Sequence, residues 1–353
     1  MGYGSRERVL DALNHRIPDK VPYIHLLINT EIRKKIAAMG GIDLHYDWEP
    51  EVNYAPIAKL DETPVMEPFL SNGPECAQVL GYDAIDMNML PPFWVHVERG
   101  KGAIIVKDGF LTDESVVDRV HFPNPDDYMK PIEDMVKKYK GEYALGVVSR
   151  LGVSWIMNCV GLMPFSIAVY EEPEWIQALL RKYTDWVIKV IDNCQEAGIE
   201  YFKFADDLAF HSSTMFSPEI FDEIFKPFLE ESTSHVKVPW IWHSDGCVTN
   251  PILDRIVALG AAGFNPIEPG CMDEPALKRD YGDKLCLVGN VDMNYYLTEA
   301  SREEVFERVK SRIDLFGPGG NYIITDSNCI ADYLNPQNVK WMSEAVHEYR
   351  NIY

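Results

Sequence analysis

The sequence predicts an α/β protein, a (β/α)8 TIM barrel that occupies residues 1–353 as a single domain. Two observations lead to this fold class. Short apolar runs alternate with amphipathic stretches, which is the order expected when helices join the strands of a parallel sheet. The apolar runs also number eight, as the strands of such a barrel do. A chain of 353 residues that is 46% hydrophobic can bury one large core.

The eight predicted strands are apolar segments of five to seven residues, at 21–27, 83–89, 143–148, 200–206, 238–243, 262–268, 285–291 and 322–326. From the third strand onward, each is followed by a helical pattern. The clearest helix is expected to begin at Ser217, an N-cap residue followed by Pro218 in the first turn. Its apolar residues share one face: Phe221, Ile224, Phe225 and Phe228.

The region 95–121 interrupts this rhythm after the second strand. Apolar and polar residues alternate there on both sides of Gly100 and Gly102. This pattern is typical of two antiparallel strands joined by a glycine-containing turn. We therefore expect an antiparallel hairpin inserted into the barrel at this point.

The composition excludes several classes of function. The formal net charge is −22, and such a surface repels nucleic-acid phosphates and anionic lipids. No apolar run is long enough to cross a bilayer, and the first residues lack the apolar core of a signal peptide. The seven cysteines are scattered and form no C-x-x-C pair. We therefore expect a cytoplasmic protein that acts on a small molecule, with no nucleic-acid or membrane partner.

Polar and titratable residues gather where the predicted strands end. In a barrel of this type, the carboxyl ends of the strands form the active-site face. Any one of these residues could simply cap a helix or be solvated. The ring as a whole favours a function, because such groups are costly to desolvate unless they pair or bind a ligand. The ring includes His25, Arg150, Asp206, Asp207, His243, Asp245, Asn265, Glu268, Asn290, Asp326 and Asn328.

His243 ends the fifth predicted strand, and Asp206 and Asp207 end the neighbouring fourth strand. Imidazole and carboxylate groups on adjacent strands are suitable ligands for a divalent metal such as zinc. The alternative is a histidine that only hydrogen-bonds a neighbouring carbonyl. Several aromatic residues also fall near the strand ends, where they either pack in the barrel wall or line the mouth for an aryl substrate: Trp94, Trp155, Phe165, Trp240 and Trp242.

Several segments together resemble the uroporphyrinogen decarboxylase superfamily, along the whole chain: SRERVLDALNHRIPDKVPY (5–23), MFSPEIFDEIFKPFL (215–229), HSDG (243–246), VGNVD (288–292) and NPQNVKWMSEAV (335–346). The resemblance implies the barrel independently of the strand count. The true decarboxylases carry an arginine-rich loop of the type RQAGR after the first strand. Here residues 25–35 read HLLINTEIRKK, which speaks against decarboxylase activity.

The other major branch of the superfamily contains cobamide-dependent methyltransferases. Members that alkylate thiols bind zinc through His-x-Cys after the fifth strand and through a cysteine after the eighth. This chain keeps His243 but has Asp245 at the first cysteine position and Asn328 at the second, or Cys329 if the alignment shifts by one. The loss of soft thiolate ligands argues against a thiol acceptor.

The sequence is most similar to the ether-cleaving methyltransferases of anaerobic O-demethylase systems. Some of these carry a zinc pattern Glu-x14-Glu-x20-His, and this chain has Asp207-x14-Asp222-x20-His243. The resemblance implies a zinc site formed by these three residues. It also implies transfer of a methyl group from a phenyl methyl ether to the Co(I) of a cobalamin. The cobalamin is expected on a separate corrinoid protein, because the chain lacks an Asp-x-His-x-x-Gly stretch of its own.

In that reaction His243 would act with Asp245 or Asp326, either of which could donate a proton. Asn158 and Asn290 would orient the oxygens of the substrate, with further contacts from Trp155, Asp206 and His25. Two alternatives remain at this point. One is a metal-free methyltransferase that uses methyltetrahydrofolate as the methyl donor. The other is a lyase acting on an anionic substrate, which the scarcity of arginine at the strand ends disfavours. The oligomeric state stays open between a monomer and a homodimer.

Overall fold

A computed structural model describes residues 3–45, 56–100 and 103–353. Within these residues the strands are β1 (Phe69–Leu70), β2 (Ala84–Asn88), β3 (Val95–Gly100), β4 (Ala103–Gly109), β5 (Ala144–Ser149), β6 (Tyr201–Ala205), β7 (Trp240–His243), β8 (Gly263–Asn265), β9 (Cys286–Val288) and β10 (Tyr322–Ile323).

The central sheet has eight strands in the order β1-β2-β5-β6-β7-β8-β9-β10. From β2 to β10 all neighbours pair in parallel, and β1 pairs antiparallel with β2. The segment around Tyr23 lies between β10 and the beginning of β2. Its Ile24 N–H donates to Ile324 O (3.2 Å), and Asp83 N–H donates to Tyr23 O (2.7 Å). This segment therefore links the last strand to β2, and the curled sheet has the arrangement of a TIM-like barrel.

Seven of the eight predicted strands appear as strands. All except β5 are shorter than the apolar run that predicted them, and β5 is shifted by one residue. The first, at 21–27, makes only isolated parallel bridges at Tyr23 and Ile28. One contribution is that Pro22 has no N–H to donate to a neighbouring strand. In addition, the Tyr23 N–H donates to the Asp83 carboxylate (2.9 Å) instead of to a neighbouring strand.

The α-helices of the described residues lie outside the sheet and cover it. The helix expected after Ser217 is present: the Ser217 hydroxyl accepts from the Ile220 N–H (3.3 Å), and a π-helical turn at Phe221–Phe225 interrupts the helix. The helices are α1 (Ser5–Leu13), α2 (Thr30–Met39), α3 (Pro74–Leu80), α4 (Lys130–Tyr139), α5 (Val153–Val160), α6 (Leu162–Glu171), α7 (Pro173–Ala197), α8 (Pro218–Ile220), α9 (Lys226–Ser234), α10 (Asn250–Ala258), α11 (Glu274–Tyr281), α12 (Arg302–Phe316) and α13 (Pro336–Tyr349).

Strands β3 and β4 form a separate two-stranded antiparallel sheet with an irregular register at His96 and Val97. After β4 the chain does not continue as a strand. It runs to a 3-10 helix at Glu114–Arg119, which Asp113 caps by accepting from the Ser115 N–H (2.9 Å). The strands therefore occupy only the first half of the region 95–121.

The large aromatic side chains near the strand ends are part of the core. Trp94, Trp155 and Trp242 are fully buried, and Trp240 is 3% exposed. Trp155 packs edge-to-face on Trp94, with 6.1 Å between the ring centroids, and its Nε1 donates to the Pro92 carbonyl (2.8 Å). The structure thus favours the barrel-wall alternative for these residues. They support the sheet and do not line its mouth.

A buried charged network crosses the interior of the barrel. Lys203 on β6 donates to Asp86 on β2 (2.9 Å), and Tyr201 donates to the same carboxylate. Asn72 donates to Asp86 Oδ2 (2.7 Å), and Lys203 also donates to the His25 carbonyl (3.0 Å). Since the Lys203 and Asp86 side chains are at most 3% exposed, each charge depends on the other for compensation.

No single helix of the described chain is long and apolar enough to cross a membrane. Helices α5 and α6 meet the length and composition criteria only as a pair, and the chain bends by 107° between them.

Candidate functional site

His243 ends β7 and is held in one orientation by β8. Its Nδ1 lies 2.6 Å from Asn265 Oδ1, while Asn265 Nδ2 donates to the Val288 carbonyl (3.0 Å). Because the amide nitrogen of Asn265 faces the Val288 carbonyl, the amide oxygen must face the imidazole of His243. That oxygen can only accept, so His243 Nδ1 must carry the proton. In the neutral ring, Nε2 then has a free lone pair. It faces Asp245 Oδ1 at 3.6 Å, beyond hydrogen-bond distance.

Asp207 and Asp245 complete a cluster with His243. The Asp245 N–H donates to Asp207 Oδ1 (3.0 Å), which brings the loops after β6 and β7 together. Asn328, in the loop after β10, donates to Asp245 Oδ2 (2.6 Å). One ligand atom from each of Asp207, His243 and Asp245 lies within 4.8 Å of the others. We call these three residues the mouth cluster.

The mouth cluster contains an unsatisfied acceptor. Asp245 Oδ1 is buried and has no hydrogen-bond partner among the described residues. Burial raises the pKa of Asp245 to about 6, while the positive charge available on His243 opposes the rise and the nearby Asp207 and Glu268 add to it. Leaving a buried oxygen unpaired is costly, and a cation beside it would remove that cost.

The mouth cluster predicts a pH-dependent gain in stability for D245N in chelator-treated protein. The pKa of Asp245 is higher in the folded chain than its ordinary value of 3.8. This carboxyl therefore has no effect on the free energy of unfolding below about pH 4. Its destabilising effect grows between about pH 4 and pH 6 and is fully present above that range. Asparagine does not ionise and can still accept from Asn328. We expect a gain of about 1 kcal/mol at pH 8 after solvent screening of this partly exposed group.

Urea denaturation of wild type and D245N at pH 5 and pH 8, both with chelator, measures this gain. The gain should be smaller at pH 5. An equal gain at both pH values would mean that the ionisation of Asp245 does not cause it.

Asp222, expected as a metal ligand with Asp207 and His243, lies outside the mouth cluster. Its carboxylate forms a two-fold ion pair with Arg255 on α10, at 2.8 Å and 2.5 Å. The guanidinium holds the pKa of Asp222 below its usual range. Asp222 lies in the π-helical turn and faces the neighbouring helix α10. The residue that the spacing suggested as a metal ligand therefore forms an ion pair between two helices. The structure brings Asp245 to His243 in its place.

Asp206, expected to contact substrate, is fully buried beneath the mouth. Its two oxygens accept from the N–H groups of Leu151, Gly152 (3.3 Å) and Ser154 (2.8 Å), at the beginning of α5. These bonds satisfy N–H groups that have no partner within the helix. The carboxylate therefore fixes α5 on the barrel and is not available to a ligand in the mouth.

Asn158 and Asn290 both have structural partners. Asn158 donates to the Ser154 carbonyl one turn earlier in α5 (2.6 Å). Asn290 donates to the Ile267 carbonyl and to Glu274 Oε1, both at 2.7 Å. Asn290 Oδ1, however, is buried and has no partner within the described part of the chain, so Asn290 keeps one free acceptor.

His25 and Asp326 form a buried pair deeper in the barrel. His25 Nδ1 lies 2.6 Å from Asp326 Oδ2, and Nε2 lies 2.7 Å from the Tyr23 hydroxyl. Asp326 also accepts from the Asn328 N–H (3.2 Å), which connects this pair to the loop that contacts Asp245. Both His25 and Asp326 are fully buried. The structure thus brings them together beneath the mouth cluster and not within it.

Sequence reasoning missed one group of chemically active residues at the rim of the mouth. His211 Nδ1 lies 2.9 Å from Cys271 Sγ and 3.1 Å from Glu268 Oε1. His211 follows β6, whereas Glu268 and Cys271 follow β8. No spacing rule joins a histidine and a cysteine that are 60 positions apart. Of these three residues, only Glu268 was identified from the sequence, because it follows the end of a predicted strand.

A comparison with known protein families identifies the family of this chain. Residues 94–349 match the family described as uroporphyrinogen decarboxylase (URO-D). The chain belongs to that family. The matched region contains all three mouth-cluster residues and Asn328, so the cluster is built on the URO-D domain itself.

This URO-D family member is also similar to individual proteins. It is 26% identical over 189 residues to a uroporphyrinogen decarboxylase from Salinibacter ruber. That match covers 51% of this chain and 49% of that protein, so the chain spans about half the length of the curated relative. A methyltransferase structure from Methanosarcina mazei is 19% identical, covers 99% of each chain and has a TM-score of 0.69, which shows the shared fold. A putative vitamin-B12-independent methionine synthase from Listeria monocytogenes is 12% identical over 77% of this chain and 83% of its own, with a TM-score of 0.46.

The URO-D domain also has a cavity of about 570 Å³ beside β8 and β9. The wall is mostly polar, and Arg308 approaches the Asn290 carbonyl there at 3.3 Å. Arg308 Nε is buried and has no partner in the described residues. One lining residue of the cavity therefore keeps a donor without a partner among the described residues. It is lined by Pro269, Gly270, Met272, Asp273, Glu274, Pro275, Asp292, Tyr296 and Arg308.

Asn265 of this URO-D domain is expected to act as a positioning residue for His243. In N265A the imidazole loses the acceptor that fixes its tautomer, so Nε2 is no longer held as the free nitrogen. We expect zinc affinity to fall by about 10–100-fold, the usual effect of removing such a partner.

Competition with a chromophoric chelator measures the zinc affinity of N265A. The matched control is N193A, because Asn193 makes a comparable bond to Asp126 (2.6 Å) on the surface. Unchanged affinity in folded N265A would exclude this positioning role.

Proposed function

We propose that this protein is a methyltransferase that moves a methyl group from a phenyl methyl ether to the Co(I) of a separate corrinoid protein. The observation that carries the proposal is the mouth cluster. It places Nε2 of His243 opposite Oδ1 of Asp245, which has no hydrogen-bond partner among the described residues, with Asp207 beside them. A URO-D domain with such a cluster is equipped for Lewis-acid chemistry at the open end of its barrel.

The donor atoms of the mouth cluster fit zinc. One imidazole nitrogen and two carboxylates are common zinc ligands, and three protein ligands are typical of a catalytic site that keeps a fourth position open. His243, Asp207 and Asp245 would hold the ion. Bound zinc would supply a positive charge that polarises the ether oxygen, which matters because phenoxide is a poor leaving group.

The proposed reaction is a displacement at the methyl carbon. The electron pair of Co(I) attacks that carbon while its bond to oxygen breaks, and the bonding pair stays on the phenoxide oxygen. The phenoxide then takes a proton from solvent. The residues of this chain hold the site in place: Asn265 fixes the ring of His243, and Asn328 fixes the carboxylate of Asp245.

The arene would contact aromatic side chains other than those that the sequence suggested, since the tryptophans near the strand ends are buried in the core. Three aromatic side chains follow barrel strands and are exposed: Phe210 after β6 (48%), Tyr295 after β9 (43%) and Tyr333 after β10 (66%). Their position makes them the candidates for contact with a flat substrate among the described residues.

Anaerobic mixing of the protein with cob(I)alamin and 2-methoxyphenol tests the proposal. The cobalt absorption spectrum would change to that of methyl-Co(III), and a chelator would prevent the change. Formation of methyl-Co(III) that is indifferent to the chelator would exclude the metal-assisted route. A lack of conversion with several methoxyarenes would overturn the ether-cleaving proposal.

A second candidate is transfer of a methyl group from methyltetrahydrofolate without a metal. The cavity beside β9 favours it, because a pterin requires polar partners, and this cavity is lined by Asp273, Asp292 and Arg308, whose buried Nε has no partner among the described residues. Adding methyltetrahydrofolate to the same assay separates the two functions. Conversion with the folate only, with or without chelator, would support this candidate.

A decarboxylase-like lyase is less well supported. Such an enzyme needs arginine side chains that are free to bind carboxylates. Arg150, which follows β5, already donates to the Ser154 hydroxyl and to the Ala205 carbonyl, both at 2.5 Å. Its guanidinium therefore connects the beginning of α5 with the end of β6.

A further inference from the structure

A second group of metal-binding side chains lies at the rim of the barrel, apart from the mouth cluster. The rim cluster consists of His211, Glu268 and Cys271, whose ligand atoms lie within 4.8 Å of one another. His211 Nδ1 is 2.9 Å from Cys271 Sγ and 3.1 Å from Glu268 Oε1. A nitrogen, a sulfur and an oxygen thus converge on one point.

Two hydrogen bonds of Cys247 connect the loops that carry the rim cluster. The Cys247 N–H donates to the Phe210 carbonyl (2.8 Å), and the Cys247 thiol donates to the Cys271 carbonyl (3.1 Å). Gly246 makes this approach possible, because a Cβ there would lie 2.5 Å from the Ala209 oxygen. Gly246 also has a φ of +85°, which favours glycine. The backbone arrangement of these loops therefore places His211 next to Cys271.

His211 Nδ1 has two neighbours in the rim cluster within hydrogen-bond distance. His211 Nδ1 carries at most one proton, so it can donate either to Glu268 or to Cys271, and not to both. Both neighbours nonetheless lie within 3.1 Å of this nitrogen. A cation at the centre of the three atoms would satisfy all of them at once. Tetrahedral zinc separates nitrogen and sulfur ligands by about 3.5 Å, so a small outward movement of these side chains suffices.

We propose that His211, Glu268 and Cys271 form a second metal site, selective for zinc-like divalent cations. Imidazole and thiolate ligands favour zinc over magnesium or calcium, which prefer oxygen alone. The His211 side chain is 73% exposed, which provides an entry path for the ion and leaves the fourth position to water or to an external ligand.

The rim site is distinct from the mouth cluster but is connected to it. Glu268 Oε1 faces His211, while Glu268 Oε2 accepts from the N–H of Gly246, the residue after Asp245. An ion at the rim would therefore neutralise an acid beside the mouth cluster. The rim site shares no ligand with Asp207, His243 and Asp245, so this proposal stands whether or not the protein demethylates ethers.

Cobalt substitution tests the rim site without an activity assay. The metal-free protein is titrated anaerobically with Co²⁺, and the thiolate-to-cobalt charge-transfer absorption is followed. The mouth cluster contains no sulfur, so this band reports a cysteine ligand only. We expect the band to saturate at one equivalent in H243A, where the mouth cluster is disabled, and in wild type once both sites are filled. It should disappear when Zn²⁺ displaces the cobalt.

Variants then assign the ligands. C271S should lose the band. H211A, which changes an exposed side chain and should fold normally, should weaken cobalt binding by at least about 100-fold, because one of three ligands is lost. C247S is the matched control and should keep the band, since the Cys247 thiol contacts only the Cys271 carbonyl in this group. No band in wild type, a band that survives C271S, or a band lost in C247S would overturn the assignment.

Discussion

H243A is expected to lower methyl transfer by at least about 10³-fold, which corresponds to about 4 kcal/mol of transition-state stabilisation. The variant removes the only nitrogen ligand of the mouth cluster and the ring that Asn265 holds. Asp207 and Asp245 would then remain as two carboxylates with no neutral ligand between them. Bound zinc at the mouth should fall by one equivalent, measured by elemental analysis of protein freed from weakly bound metal.

The control for this variant is H235A. His235 lies on the surface and pairs with Asp192 at 3.1 Å, outside both clusters, so its removal should change neither zinc content nor rate. H243A protein that retains full activity and its full zinc content would refute the assignment of His243. Loss of zinc with retained activity would favour the folate-dependent alternative.

D86A is expected to lower the free energy of unfolding by about 3–5 kcal/mol, the usual cost of removing one partner of a buried ion pair. The change leaves the Lys203 ammonium, which is 3% exposed, without its carboxylate. Tyr201 and Asn72 also lose an acceptor. Urea denaturation followed by circular dichroism measures the loss.

Two further variants interpret the D86A result. D192A removes a half-exposed carboxylate that faces His235, and it should change stability by less than about 0.5 kcal/mol. D86L/K203M removes both buried charges, so it should recover part of the D86A loss. If D86A costs no more than D192A, the buried pair does not support the barrel.

The strands and helices were largely predictable because their signals are local. Apolar runs gave the correct places for β2 and for β5 to β10, and Ser217 marked a true helix start. The run at 21–27 was the exception, because the Asp83 side chain, far along the chain, takes the Tyr23 N–H. A competing long-range bond of this kind leaves no mark in the periodicity of the run itself.

The site was only partly predictable for a related reason. Strand ends can be read from the sequence, and His243, Asp207 and Asp245 were all identified in this way. The spacing that suggested Asp222 could not show which way a helical side chain points, and the π-helical turn directs it to Arg255. The buried tryptophans were ambiguous for a similar reason. Alternation along a strand does not reveal which side chains are covered by the packing of other elements.

The sequence by itself determined the places of β2 and of β5 to β10, the polar residues that follow them and the net charge of −22. These properties depend on neighbouring residues and on composition. Only the tertiary structure decided which of the polar residues act together. In the folded chain Asp245 lies beside His243, and Asp206 caps the beginning of α5. His211 and Cys271, on two different loops, are in contact. Contacts between distant loops arise from packing of the whole barrel, and local sequence patterns carry no information about them.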